Sequence, residues 1–206
     1  MPITSGIAMP RLLAALLLAA STLATAQAPA PTARTRGTVE KADAASLVVK
    51  LKDGETMTYV YADNFVVSEV LPVEPAMLQA GTFIGTAAVP GADGSLSALE
   101  VLVFPEAARG TGEGHGPWDS QPGATMTNAT VSSIAAGNGA RTMTLRYKDG
   151  EKTIRVPDGV PIVTVKPGDR SLLVPGAKLM VISQVRGGQP TALRVLAGRD
   201  GFEPPM

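Results

Sequence analysis

The four residues Lys52-Asp53-Gly54-Glu55 recur letter for letter as Lys148-Asp149-Gly150-Glu151, and the apolar pattern around them recurs too. Upstream, Gly37-Thr38-Val39 is echoed by Ala129-Thr130-Val131, and the alternating Leu47, Val49 and Leu51 by Met143, Leu145 and Tyr147. Downstream, Val66–Val70 is matched by residues 161–165 and the Pro-bounded stretch 72–80 by 166–176. Residues 82–89 are matched by 177–184, and Ala98-Leu99-Glu100-Val101-Leu102 by Ala192-Leu193-Arg194-Val195-Leu196. Such self-similarity means one small module written twice, about 70 residues each. A unit that small buries a marginal core, so the two copies are expected to pack on each other.

Within each copy, alternation of apolar and polar residues and turn glycines spell strands. In the first copy these are residues 37–40, 47–51, 57–61, 66–70, 82–89 and 96–104, with room for one helical turn in 72–80. The fold class is all-β: two tandem small β-barrels, OB-like, about six short strands each, related by the internal repeat. A sandwich of the same strands is the alternative, because strand order is not written in one sequence. The expected boundaries are a first barrel over 36–104, a Gly-rich joining segment over 105–126, a second barrel over 127–198 and a tail over 199–206.

Ahead of the repeat, Arg11, the apolar run 12–20 and the small-residue stretch 21–28 have the three parts of a secretory signal. The apolar run falls short of the roughly 20 residues that cross a bilayer. Cleavage is expected near Ala26, with Met1 and Met9 both suitable as the start. Residues 27–35, QAPAPTART, read as a disordered tether. Without cysteine, neither disulfides nor a lipid-modified N-terminal Cys is available. The expected location is periplasmic or secreted, with no membrane insertion after signal removal. The chain has 18 basic and 18 acidic residues, and removing 1–26 takes one arginine and no acid. That neutrality argues against nucleic acid as a partner held by bulk charge.

Candidate chemistry concentrates in the joining segment, PEAARGTGEGHGPWDSQPGATM, which contains the chain's only His and only Trp. Arg109, Glu113, His115, Trp118 and Asp119 form the candidate ligand-binding set, brought together by intervening glycines. Within it, Glu113, His115 and Asp119 are a candidate divalent-metal set of one nitrogen and two carboxylate ligands. The competing reading makes the segment a clasp across both barrels with Trp118 filling the groove and Arg109 paired internally to Glu106 or Glu113. The glycines do not make a phosphate loop, since Pro117 comes at once and no Lys-Ser or Lys-Thr pair closes the run. One His and no Cys leave Ser120 as the nucleophile for an orthodox catalytic set, with no Gly-x-Ser-x-Gly turn behind it. No enzyme is expected. Tyr59, Tyr61 and Phe65 are a candidate stacking face, set against ordinary cross-strand packing; by the repeated letters, Tyr59 and Tyr61 fall on Arg155 and Pro157.

The run from Phe104 to Val131 resembles a set of small bacterial exported proteins of unknown function, in which R-G-x-G-E-G-H-x-P-W-D is followed by S/T-M-T-N-A-T-V. Here Gly116 after His115 and Ala124 before Thr125 are small departures. The resemblance implies OB-like barrels and a periplasmic setting. Some such proteins carry the label of a metal-transport permease, which the lack of a second apolar run sets aside here. The expected function is a soluble periplasmic binding or accessory module that recognises an envelope protein or small ligand at the junction of the barrels. The alternative is a metal-binding or metal-delivery protein using His115 with nearby carboxylates; no other cofactor is implied.

Overall fold

The computed structural model describes residue 1 and residues 31–91 and 95–205. The expected signal, its cleavage site, the first part of the tether and the turn at 92–94 lie outside the described residues. No helix among the described residues is long and apolar enough to cross a membrane.

Strands β1 (Ala33–Ala42), β2 (Ser46–Leu51) and β3 (Thr56–Pro72) form an antiparallel meander. After the 3-10 turn Pro75–Met77 comes a hairpin of β4 (Phe83–Pro90) and β5 (Leu96–Val103). The joining segment holds a 3-10 turn, Glu106–Ala108, and a short strand β6 (Gly114–Pro117). A second meander comes next as β7 (Thr125–Gly137), β8 (Ala140–Tyr147) and β9 (Gly150–Pro157). The chain ends with β10 (Ile162–Pro167), the 3-10 turn Arg170–Leu172, and the hairpin β11 (Lys178–Arg186) with β12 (Gln189–Gly198).

The first meander is closed into a five-stranded barrel by the last hairpin, not by β4 and β5. Strand β12 lies parallel on β3, with Val67 beside Val195, and β11 runs antiparallel to β1, with Gly37 beside Leu179. Inside are Val39, Leu47, Val49, Tyr59, Val181 and Val195, all at 2% exposure or less, with Leu172 and Leu173 packed in from the 3-10 turn. Buried aliphatics of this size contribute about 1.5–3 kcal/mol each.

The remaining strands extend from this barrel. Strand β4 pairs with β5 and β7, β7 with β8, β8 with β9, and β9 meets β5 in parallel through Leu96–Ile154 and Ser97–Arg155. They enclose a second core of Ile84, Val101, Val131, Met143, Leu145 and Ile154. Strand β10 joins the two parts, antiparallel to β3 and parallel to β5. Val70, Val163, Met180 and Leu196, joined by Leu102 and Phe202, form a small core between them.

Three sequence expectations meet a different arrangement. The boundaries 36–104 and 127–198 do not coincide with the closed barrel, which takes three strands from one and two from the other. Sequence order sets which strands exist; burial decides which pair. Ala33, Arg34 and Thr35, read as tether, pair with Ser183, Ile182 and Val181, because a strand partner supplied by the far end of the chain is invisible in local composition. Residues 66–70 are not a separate strand, since β3 runs unbroken through them.

Candidate functional site

The joining segment is a strap with three separate anchorages. At the first, the Arg109 guanidinium grips Glu106 through two hydrogen bonds of 2.6 and 2.7 Å and donates to the Gly81 carbonyl oxygen at 3.0 Å. Its charge also lies over the Phe83 ring at 6.0 Å. The hydrogen bonds from Arg109 hold the Glu106 carboxyl below the usual carboxylate range and raise the Arg109 pKa. Beside this anchorage is a pocket of about 600 Å³. Its walls include Phe83 and Phe104, whose rings lie 5.3 Å apart, together with Thr164 and the exposed Met77.

At the second anchorage β6 adds to the edge of β7, with His115 opposite Thr127. Strand β8 continues end to end along that same edge, which sets Tyr147 beside His115. The rings stack at 6.5 Å, and His115 Nδ1 lies 2.8 Å from the hydroxyl of the fully buried Thr127. The ring itself is exposed. Partial loss of water, then the Lys152 charge, lower its pKa, which keeps the imidazole neutral at pH 7. Glu113, two residues earlier, accepts a hydrogen bond from the Lys148 backbone N–H at 3.1 Å. That ties the strap to the turn between β8 and β9.

The third anchorage is on the closed barrel. Asp119 lies 3.2 Å from Arg36 and 3.8 Å from Arg34, both on β1, and the Arg34 guanidinium covers the Trp118 ring at 4.4 Å. The Trp118 indole nitrogen is buried without a hydrogen-bond partner among the described residues. The expected convergence of five residues is therefore not found: Arg109, the Glu113–His115 pair and the Trp118–Asp119 pair serve different contacts. Glu113, His115 and Asp119 do not meet as ligands, and among the described residues no group of three or more His, Asp or Glu side chains is placed to hold a metal ion. The His115 ring is oriented by its hydrogen bond to the Thr127 hydroxyl, and among the described residues no carboxylate is shown bonded to it.

The stacking-face residues are also committed. Tyr59 is buried in the barrel, while Tyr61 packs on Phe65 at 4.5 Å beneath Arg170 and donates its hydroxyl to the Ser46 carbonyl oxygen.

Two carboxylates that sequence reasoning did not single out are the most buried charges. Glu100 on β5 is 4% exposed and burial raises its pKa to about 7, against an opposing pull from Arg36. Glu69 on β3 is 2% exposed and takes two hydrogen bonds from Arg199, at 2.8 and 2.9 Å, with Lys166 3.4 Å away. Those hydrogen bonds lead the forces that lower its pKa to about 2. Neither stands out in a strand pattern: Glu69 lies opposite Ala197 and two residues from Val67, on the face of β3 that lines the closed barrel, and Glu100 lies opposite the buried Ala87 of β4. Compared with protein-family models, curated proteins and solved structures, the chain matches none.

Proposed function

We propose that this protein is a recognition module of the bacterial envelope, built from a duplicated OB-like barrel, that binds a partner protein or small ligand at the pocket beside Arg109. The duplication is supported by the pairing orders β1-β2-β3-β12-β11 and β7-β8-β9-β5-β4, which share one scheme with the two terminal hairpins exchanged. The single observation that carries the binding reading is the pocket itself. Its volume falls within the roughly 300–1,000 Å³ of small-ligand sites, and it pairs aromatic walls with an exposed methionine, a side chain suited to adaptable apolar contact. Arg109 already gives three of its five N–H groups to Glu106 and the Gly81 carbonyl, so its main role is to hold the rim, and the complementary ligand group is apolar. The strap explains the crowding of rare residues in the sequence: they fasten the pocket's edge to β7 and to the barrel.

Met77→Glu places a charge at the mouth without touching a core. Thermal-shift measurement against a library of apolar small ligands, and pull-down from envelope extract, should yield a species retained by the native chain and lost by Met77→Glu at unchanged melting temperature. Retention of nothing by the native chain, or equal retention by the variant, would refute the reading.

A further inference from the structure

A second groove, of about 530 Å³, crosses β1 between β2 and β11. Its charge comes from register. Thr38 pairs with Lys50 on one side and Lys178 on the other, and directly opposed residues on neighbouring strands share a face. Two ammonium groups therefore flank one hydroxyl, and Lys178 Nζ donates to Thr38 Oγ1 at 3.0 Å. Lys52 just past the end of β2 and Arg36, shared with Asp119, extend the positive rim.

One wall of this groove is the chain's own tail. A side chain at Gly198 would collide with the Phe202 carbonyl oxygen, so the chain doubles back there, through left-handed Asp200 (φ 53°) and Gly201 (φ 82°). Phe202 then inserts into the small core between the two parts of the molecule. Beyond it, Glu203, Pro204 and Pro205 line the groove, with Pro204 buried and the Glu203 carboxylate 3.8 Å from Lys52 Nζ. Both partners of that ion pair are more than half exposed, which makes it a weak contact. Among the described residues that line the groove, one carboxylate stands against Lys50, Lys52 and Lys178, so these residues leave a positive excess with the tail in place.

We propose that this groove binds an extended acidic segment of a partner polypeptide and that residues 203–205 are its built-in competitor. A peptide is favoured over a free oxyanion because the tail presents proline rings and backbone to the groove as well as one carboxylate. The site is independent of the pocket beside Arg109. A tethered competitor acts at high effective concentration. If it holds the groove nine-tenths of the time, removing it strengthens the apparent affinity for an external peptide by about tenfold.

The probe is a fluorescent synthetic peptide carrying two Glu-Pro-Pro units, monitored by polarisation against the full chain and against a variant ending at Phe202, which keeps the anchor in the core. Binding should be about tenfold tighter to the shortened variant, weaken with added salt, and vanish in the shortened chain carrying Lys50→Glu and Lys178→Glu. Both lysines project from the barrel surface, and near-ultraviolet circular dichroism checks that the fold persists. Equal affinity for full and shortened chains, indifference to the charge reversals, or displacement of the peptide by millimolar inorganic phosphate would each overturn the proposal, the last by making it a free-anion site.

Discussion

Glu100 and Glu69 are both buried carboxylates, and their surroundings give them opposite pH signatures. Glu100 prefers its proton in the folded state. Below its ordinary value of 4.5 it is neutral whether folded or not; between 4.5 and about 7 the unfolded chain releases the proton while the folded chain keeps it. Its share of stability therefore falls as pH rises through that window, by about 3 kcal/mol in all. Glu69 prefers its charge, because Arg199 and Lys166 surround it. Its share is present above 4.5 and drains away as pH falls towards about 2. Together they place a maximum near pH 4.5 in the stability that they control. Urea titrations across pH 3–8 should show the basic-side decline flattened in Glu100→Gln and the acid-side decline flattened in Glu69→Gln. An unchanged profile in either variant would show that the charge is compensated elsewhere. None of this is legible in the sequence, where Glu100 and Glu69 are single acids in alternating strands. Burying them requires a second layer of structure whose position depends on long-range pairing.

At the scale of the element, the recurring letters are legible in the sequence and the strand register is not. Strand β2 and the turns appear where alternation and the KDGE letters put them. Yet the two KDGE turns differ: in the first copy Lys50 pairs with Thr56 around the turn, where Asp53 Oδ1 accepts from the Glu55 backbone N–H at 3.0 Å. In the second, Tyr147 pairs with Gly150 across two residues. The difference of one residue flips faces, so Leu47 sits opposite Tyr59 while its counterpart Met143 sits opposite Ile154, not Arg155. Identical letters located the turn and misled about the facing of the strand after it. Strand β6 escaped notice because Gly114-His115-Gly116-Pro117 has no apolar alternation; it exists as an addition to the β7 edge. That edge depends on close approach. A methyl group at Gly85 on β4 would lie 2.5 Å from Asn128 Oδ1 and 3.1 Å from the Phe104 ring. Asn128 Nδ2 in turn donates to the Thr111 carbonyl oxygen of the strap, at 3.2 Å. Gly85→Ala should therefore destabilise the protein by about 1–3 kcal/mol and speed amide exchange in β6 more than in the closed barrel, as hydrogen-exchange mass spectrometry would read. Uniform exchange across both would argue that the strap does not rest on this contact.

For the whole molecule, the all-β class and the existence of a closed barrel are legible in the sequence, whereas the barrel's membership is not. Local patterns mark β2 and parts of β1 and β3 but are silent on whether the hairpin that closes them is β4–β5 or β11–β12, since both hairpins carry the same alternation. The expected consequence is direct: residues 31–104 produced alone should remain unfolded by circular dichroism and one-dimensional NMR, because β1 and β3 keep open edges without β11 and β12. Adding residues 176–205 as a separate peptide should restore strand signal. Cooperative folding of 31–104 by itself would mean that the two hairpins are interchangeable. The exchanged hairpins also bear on the order of events during biosynthesis. A ribosome or translocase delivers a chain from its beginning, and most domains condense as soon as their residues emerge. This barrel lacks two staves until Gly198 has been delivered. The closed barrel therefore stays open until the last hairpin arrives and closes late, over long sequence separations that make folding slow.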